Sequence, residues 1–397
     1  MQYISPPAIW LIVLIAGIGQ LSETVYSPAL PAIAASLGVK ASWVEYTLTI
    51  YLLSFGIGTL FWGRLSDHFG RKPCVLAGLA IYILGSLGCY MADSLSILMI
   101  SRFIQGFGGS IGSVLAQAIV RDAFSGPNLT KAYSSIVGAL AVFPAIGPIV
   151  GGVITQQFSW PMIFVFLIGF GILIFLVTLQ KLPETLTIHQ QKLPSLLTIL
   201  CQLAKDPKVI GFGLLVALCN GITFSYYAEG SFYLIELLGL SPSQYGMTFA
   251  LMASATIAGS VISRKTQSKF GSITMIKYGL WGILASCSLL YVGVLLKNML
   301  NISSINLLIL TVVVMMGNMA GICIVTSNAL AMSLQNYRHA IGTASSLFGF
   351  FYYIGVSLCT FGMGLVHNGT LIPMPLYFLS LGIIMIIVFK TLLKENP

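Results

Sequence analysis

The chain has 397 residues, of which 57% are hydrophobic and only 7% are charged, and its mean hydropathy is +0.95. Soluble domains carry about 25% charged residues, so this composition excludes a water-soluble enzyme and indicates a protein surrounded by lipid. The formal net charge of +9 is spread along the chain and is not gathered into one patch. We therefore expect no nucleic-acid partner.

Cysteine and histidine are too dispersed to predict metal chemistry. The seven cysteines form no C-x-x-C pair, and the four histidines fall in four different connections between apolar runs. We expect the cysteines to be small packing residues, and we expect no metal site and no cofactor. The histidines are His68, His189, His339 and His367.

Twelve apolar runs are each close to the length of a membrane-spanning helix, for which about 20 residues are needed. They lack the alternation of polar and apolar residues that is typical of barrel strands. The sequence therefore predicts an all-α membrane protein with twelve transmembrane helices. Their approximate spans are 9–31, 43–62, 74–92, 97–119, 133–155, 161–180, 209–233, 244–263, 278–296, 305–330, 341–365 and 372–389.

The longest connection divides these runs into six and six. We predict an N-terminal six-helix bundle over residues 1–180, a basic linker over 181–208 and a C-terminal six-helix bundle over 209–397. The connections after the second and the eighth run are similar, since Gly63-Arg64 precedes Gly70 and Ser263-Arg264 precedes Gly271. Paired repeats of this kind predict two pseudo-symmetric bundles around a central site.

The basic residues predict the orientation of the chain in the membrane. All but three of the 19 Lys and Arg residues lie in the even-to-odd connections or near the C-terminus. The exceptions are Lys40, Lys297 and Arg102. Because basic loops stay in the cytoplasm, we expect both termini and the linker to be cytoplasmic.

Three charged residues lie well inside apolar runs, where each costs about 2.5 to 3.5 kcal/mol on insertion scales and is expected to face a cavity or a partner. Glu23 and Glu229 lie in the first and seventh runs, so a pseudo-twofold axis would bring both to one aqueous vestibule. Burial favours a protonated carboxyl, as proton-driven exchange requires. We predict proton coupling by Glu23 and Glu229, with Arg102 organising a hydrogen-bond network. The alternative for Glu23 is a structural role. The alternative for Glu229 is a position at the outer mouth, beside Glu236. Glu45 is interpreted as an interfacial acid.

Polar and aromatic residues at similar depth could shape an apolar substrate cavity with a few polar groups. Hydrogen bonding between helices is the alternative for each of them. These candidates are Tyr26, Gln105, Asn220, Tyr226, Tyr227, Asn318 and Asn328.

Three segments of the first half carry recognisable motifs. The connection after the second run reads G-R-L-S-D-H-F-G-R-K from Gly63 to Lys72, and the fourth run holds Arg102 and Gln105 among glycines. The fifth run contains a series of small residues, Gly138, Gly147, Pro148, Gly151 and Gly152. These segments resemble the loop signature, the fourth-helix motif and the fifth-helix antiporter motif of the major facilitator superfamily.

Two further segments, Tyr26-Ser27-Pro28-Ala29-Leu30-Pro31 and the stretch from Gly239 to Gly246, resemble the multidrug exporters related to bicyclomycin and chloramphenicol resistance proteins. That family often has an acid at the position of Thr24, whereas the acid of this chain, Glu23, comes one residue earlier. The resemblance implies a proton:drug antiporter.

The loop motif predicts a cytoplasmic gate formed by Gly63, Asp67, Gly70, Arg71, Lys72 and Asp122. We expect Asp67, in a tight loop, to dock on the positive N-terminus of the eleventh helix near Ile341 and to latch the outward-open state. The alternative is a solvated loop. The fifth-helix glycines and prolines predict a helix that bends against its neighbour, and the alternative is ordinary close packing.

The leading interpretation is a proton-coupled exporter of small amphipathic compounds that works by rocking of two bundles as a monomer in a bacterial inner membrane. Its partners would be small molecules, protons and the lipid bilayer, and the chain has no G-x-x-x-x-G-K-[ST] phosphate loop for nucleotide-driven pumping. The alternatives are a proton-coupled carrier of one metabolite or siderophore and, in another class, a membrane sensor or passive channel. No nucleophile, base and orienting acid fall at one depth, so an enzyme is not expected.

Overall fold

The computed structural model describes residues 6–140, 142–186, 195–300 and 303–393. His189, Lys192 and Lys394, which entered the analysis of the connections, lie outside these ranges, and so do the side chains of Arg338 and His339. Every regular element in the described ranges is helical.

Within its described residues, the N-terminal half contains nine helices that form six membrane segments. The first segment is broken by a 3-10 turn at Ser27–Ala29, where Pro28 removes a backbone donor. The helices are α1 Ile9–Val25, α2 Leu30–Leu37, α3 Ala41–Phe69, α4 Arg71–Tyr90, α5 Leu95–Gly109, α6 Ile111–Ala123, α7 Gly126–Leu140, α8 Phe143–Gln157 and α9 Met162–Lys181.

The part of the C-terminal half that the structure describes contains six long helices and is preceded by a short helix in the linker. A π-helical turn, Phe232–Leu237, extends the seventh membrane segment. The helices are α10 Leu196–Leu203, α11 Pro207–Ser231, α12 Pro242–Phe270, α13 Ser272–Leu300, α14 Ser304–Ser333, α15 Ile341–Val366 and α16 Pro373–Leu392.

Eleven stretches of the described chain are long and apolar enough to cross a membrane. The remaining predicted span, the fifth, corresponds to α7 and α8 on either side of residue 141. The prediction of a twelve-helix membrane protein is confirmed, and the order of its segments matches the sequence analysis.

Two boundaries differ from the sequence-based expectation. Helix α3 continues to Phe69, seven residues beyond the predicted end, so Asp67 lies in its last turn and not in a loop. The linker contains helix α10, whose Ile199 and Leu203 pack against Leu347 of α15. The amphipathic pattern of α10 gives it an apolar face that this contact buries.

The two halves meet along two seams. Along one seam α8 packs on α12, and the two backbones approach closely. A Cβ at Gly152 would overlap the carbonyl of Pro242, and a Cβ at Gly246 would overlap the carbonyl of Pro148. Small residues allow such an approach between membrane helices. Further along the chain, the side chain of Gln156 accepts a hydrogen bond from the Ser243 hydroxyl.

Along the other seam α3 packs on α15. The Thr49 hydroxyl donates to the Thr360 hydroxyl at 3.1 Å, and Ser357 donates to the Thr49 carbonyl at 3.1 Å. Toward the basic ends of these helices, Gly63 lies against Ser346. We call the end of the molecule that holds Arg64, Arg71 and Arg121 the basic end and the opposite end the outer end.

The seam between the fifth and eighth segments is asymmetric. Its outer part, formed by α8 and α12, is interlocked, whereas Gly138 of α7 is exposed and has open space beside it. The Ser27 hydroxyl adds contacts between the halves at the break after α1, where it donates to the Tyr227 carbonyl and hydrogen-bonds the Tyr245 hydroxyl. Along this seam the halves are therefore joined at the outer end.

Candidate functional site

Arg102 lies at the centre of a buried polar network in the N-terminal half. Its guanidinium is sandwiched between the rings of Tyr26 and Tyr51, with centroid distances of 4.3 and 4.2 Å. Nη1 donates to Oε1 of Gln105 at 2.6 Å, and Gln105 donates in turn to Ser86 at 2.8 Å. Ring faces and an amide oxygen thus stabilise a cation in a site from which water is excluded.

Glu23 is the acidic partner of this network. Its side chain is 1% exposed, and its Oε1 has no hydrogen-bond partner among the described residues. It interacts electrostatically with Arg102 in its own half and with Tyr227, Tyr352 and Tyr353 in the other half. A carboxyl group with an unsatisfied oxygen therefore lies where the two halves face one another.

Several aromatic residues near Glu23 and Arg102 were not predicted from the sequence. Tyr51 stacks on Arg102, and Tyr352 and Tyr353 of α15, whose rings lie 4.6 Å apart, come from the opposite half. The run Phe348–Tyr353, which reads F-G-F-F-Y-Y, was a visible signal of aromatic density. Its helical periodicity could not say which of the rings faces the partner bundle.

The predicted cavity residues separate into two groups. Tyr26, Gln105, Tyr226 and Tyr227 are buried, and Asn220, which donates to the Val216 carbonyl of its own helix, remains partly exposed. The other two, Asn318 and Asn328, make contacts inside the C-terminal half: Cys287 donates to Asn318 at 3.6 Å, and Asn328 donates to Ser263 at 2.9 Å. Those contacts agree with the alternative to a cavity role, in which Asn318 and Asn328 form hydrogen bonds between neighbouring helices.

Glu229 lies at the outer end in contact with two residues that the sequence analysis set aside. Its Oε2 is 2.6 Å from Nδ1 of His367, and the same nitrogen is 3.4 Å from Oε1 of Glu45. Glu45 was interpreted as an interfacial acid, yet it is fully buried, so that interpretation is wrong. We call Glu45, Glu229 and His367 the outer triad.

The outer triad also corrects the expected relation between Glu23 and Glu229. The sequence predicted that both carboxyls face one aqueous vestibule, but both are almost completely buried and each has a different partner. The alternative, with Glu229 at the outer mouth near Glu236, agrees with the structure, because both acids interact with His367. The cause is the packing of three distant segments, which no local pattern encodes.

At the basic end, Arg71 joins two acids of the predicted gate. Its Nη1 donates to Asp67 at 2.7 Å and its Nε to Asp122 at 2.8 Å. Asp67 is thus paired inside its own half, whereas the residue found near the start of α15 is Arg121, close to Gly342. The predicted docking of Asp67 on the eleventh helix is not formed in this state.

Glu184 also belongs to this gate, although no sequence pattern indicated it. Its carboxylate accepts hydrogen bonds from the backbone amides of Arg71 and Lys72 at 2.8 and 3.1 Å, so it satisfies the free N-terminus of α4. Gly70 makes this possible, because its φ of 98° and its missing side chain let the carboxylate approach. An acid in the first turn of α4 itself would have been the usual signal, and none is present there.

The fifth-helix motif contains glycines with opposite environments. A Cβ at Gly147 would overlap Thr24 and one at Gly151 would overlap the Val25 carbonyl, whereas none of the described residues lies within 4 Å of a Cβ at Gly138. Gly147 and Gly151 therefore set the contact with α1, and Gly152 sets the contact with α12.

We expect Gly151→Ala to lower the free energy of unfolding by about 2 kcal/mol, because the added methyl group forces α8 away from α1. Thermal unfolding of the purified protein, followed by fluorescence, measures the effect. Gly138→Ala is the matched control and should leave stability equal or slightly higher, because alanine favours helix in open space. Equal losses in the two variants would contradict the assignment of the close contact to Gly151.

The order of the membrane segments, together with a buried arginine and a buried acid that interact electrostatically, is typical of a membrane transporter. The chain matches the model of the Major Facilitator Superfamily over residues 12–360, and it belongs to that family. It is a membrane transporter and not an enzyme.

Relatives with known names agree with this class. The chain is 31% identical to an uncharacterized transporter of Rickettsia bellii, with 96% of each chain covered, and 30% identical to a bicyclomycin resistance protein homolog of Haemophilus influenzae, with 82% of this chain and 80% of that protein covered. The partially occluded inward-open structure of the xylose transporter XylE from E. coli shares the fold, with a TM-score of 0.73, 13% identity and 98% of both chains covered.

Proposed function

We propose that the protein exports small amphipathic compounds in exchange for protons, working as a monomer in a bacterial inner membrane with both termini in the cytoplasm. The observation that supports this most strongly is the position of Glu23: a buried carboxyl with an unsatisfied oxygen, next to Arg102 and facing the tyrosines of the other half. The resistance protein among its relatives supports a drug as the substrate.

Glu23 and Arg102 account for the coupling in this proposal. When Glu23 is ionised, the two charges neutralise each other; when it is protonated, Arg102 keeps a positive charge that the rings of Tyr26 and Tyr51 stabilise. A proton entering from outside therefore changes the charge of the interface by one unit. Inward proton movement supplies about 2.3 kcal/mol per 100 mV, which drives the substrate outward.

The aromatic residues provide the substrate surface in this proposal. Tyr352 is partly exposed and interacts electrostatically with Glu23 of the other half, and Asn220 is also partly exposed. Binding sites for drug-sized molecules are mostly apolar with a few such polar groups. The outer contacts between α8 and α12 would then hold an inward-facing state, in which compounds enter from the basic end. Rocking of the halves about these seams would give alternating access.

Reconstitution tests this function directly. The protein is placed in liposomes, a pH gradient is imposed, and the flux of several unrelated amphipathic compounds is followed with and without a protonophore. We expect flux of at least two compounds that stops when the gradient is collapsed. Flux of a single metabolite or siderophore would identify a dedicated carrier, and flux independent of pH would contradict proton coupling and favour a channel.

A further inference from the structure

The outer triad joins the two halves of the transporter. Glu45 lies on α3 of the N-terminal half, whereas Glu229 lies on α11 and His367 follows α15 in the C-terminal half. The three groups offer ligand atoms that all lie within 4.8 Å of one another. Separation of the halves at the outer end must therefore break the cluster.

The polar atoms of the triad are only partly satisfied. Both carboxyl groups are buried, while the side chain of His367 keeps 13% exposure. Both oxygens of Glu45 and Oε1 of Glu229 have no hydrogen-bond partner among the described residues. Buried oxygens without donors cost free energy, so the site has the capacity to bind one more positive species.

The charge of the cluster also calls for a cation. With His367 protonated and both acids ionised, the triad carries one net negative charge, and two carboxylates this close repel each other. The neighbouring groups in electrostatic contact are Tyr46, Tyr233 and Glu236, and none of them is basic. The ring of Phe232 covers the imidazole at 5.7 Å. One additional proton, shared between the carboxyls, neutralises the cluster and supplies the missing donor.

The distances favour a proton over a metal ion. Metal ligands lie about 2.0 to 2.2 Å from a zinc ion, which places neighbouring ligand atoms about 3 Å apart or more. The 2.6 Å separation of Nδ1 of His367 and Oε2 of Glu229 is shorter and is a hydrogen-bond distance. A proton therefore fits the observed contact, and a metal ion would have to open it.

We propose that the outer triad is a proton-binding site that holds the outer side of the transporter closed. The inference rests on the proposed alternating-access function and extends it, because it gives Glu229 a role in controlling the outer gate together with Glu45 and His367. The shared proton and the imidazolium together stabilise the closed outer side, and loss of both protons leaves two like charges that push the halves apart.

The direction of the pH dependence follows from the imidazole. The hydrogen bond to the Glu229 carboxylate raises the pKa of His367 above its usual value, against the opposing effect of burial. The stabilisation that imidazolium gives to the closed side is complete at pH values below about 6.5 and is lost as pH rises through the raised value. Alkaline conditions should therefore open the outer side.

The test measures the opening itself, without any substrate. Spin labels are placed at Ser36→Cys and Met299→Cys, two exposed outer-end positions in opposite halves, in the full-length protein with the exposed Cys201 replaced by serine. Electron paramagnetic resonance distances are recorded in lipid nanodiscs between pH 6 and pH 9. We expect the population of the short distance to fall at least threefold across this range.

Two substitutions should change the response in opposite directions. Glu45→Gln mimics the protonated acid, so the outer side should stay closed at all pH values, whereas His367→Gln removes the cation and should open the outer side already at pH 7. Asp93→Asn, an exposed outer-end acid, is the control and should behave as the parent does. A merely structural role of the triad would shift both variants toward opening.

Specific results would overturn this assignment. A distance distribution independent of pH in the parent protein excludes a proton gate even if export proves to be proton-coupled. Closure at pH 9 on addition of zinc chloride, lost in Glu45→Gln, would identify a metal site instead. Because no transport is measured, failure of the drug-export proposal leaves the result of this experiment unaffected.

Discussion

Glu23→Gln should abolish export driven by a pH gradient while leaving exchange of labelled for unlabelled substrate at equal pH close to the parent rate. The amide has the size of the protonated acid and never ionises, so the halves can still rock with substrate bound but no proton is carried. We expect gradient-driven flux in proteoliposomes to fall at least tenfold. The unsatisfied Oε1 of Glu23 at the interface is the reason for so large an effect.

The matched control for this prediction is Asp93→Asn, the same change of a carboxyl to an amide at an exposed acid of the outer end. It should leave gradient-driven flux within twofold of the parent value. If Glu23→Gln also retained flux within twofold, Glu23 would be a structural acid and the coupling site would have to be sought elsewhere.

Arg102→Met should remove gradient-driven export at every pH tested. Methionine fills much of the same space between Tyr26 and Tyr51, but it carries no charge to balance Glu23 and no donor for Gln105. A buried carboxyl group without a nearby positive charge favours its neutral form, so Glu23 should stay protonated. Flux measured from pH 6 to pH 9 should be at background throughout, with the protein still eluting as a single species.

Two comparisons separate charge from folding in this experiment. Arg102→Lys keeps the charge but lacks the planar group that stacks on two rings, so it should retain only part of the flux. Arg264→Met removes an exposed arginine and should leave flux and its pH profile unchanged. A normal pH profile in Arg102→Met would show that the buried arginine is dispensable for coupling.

Local patterns were sufficient for the membrane segments and for the family. A helix that crosses a bilayer must satisfy its own backbone and present apolar side chains over its whole length, so Ala41–Phe69 and its equivalents are visible as apolar runs. The motifs near Asp67 and Gly147 identified the superfamily that the comparison then established. The cost of burying a charge singled out Glu23 and Arg102 in the same way.

The sequence motifs did not predict which contacts their residues make in the structure. Gly138 and Gly151 belong to one pattern, but one faces open space and the other touches the backbone of α1. Asp67 was predicted to contact the other half and instead pairs with Arg71. A motif specifies residue types along one chain, whereas the contact depends on which surface of a second helix is opposite.

The sequence by itself determined the number of membrane segments, the superfamily and the buried charges, because these depend on composition and on spacing within single helices. Only the tertiary structure decided the partners of those charges. Glu45, Glu229 and His367 are separated by well over a hundred residues from one another along the chain. Glu229 was visible as a charge inside an apolar run, but nothing in its segment indicated Glu45 or His367 as its partners. Their contact depends on how the helices of two bundles rotate and pack, which is set by many long-range contacts acting together.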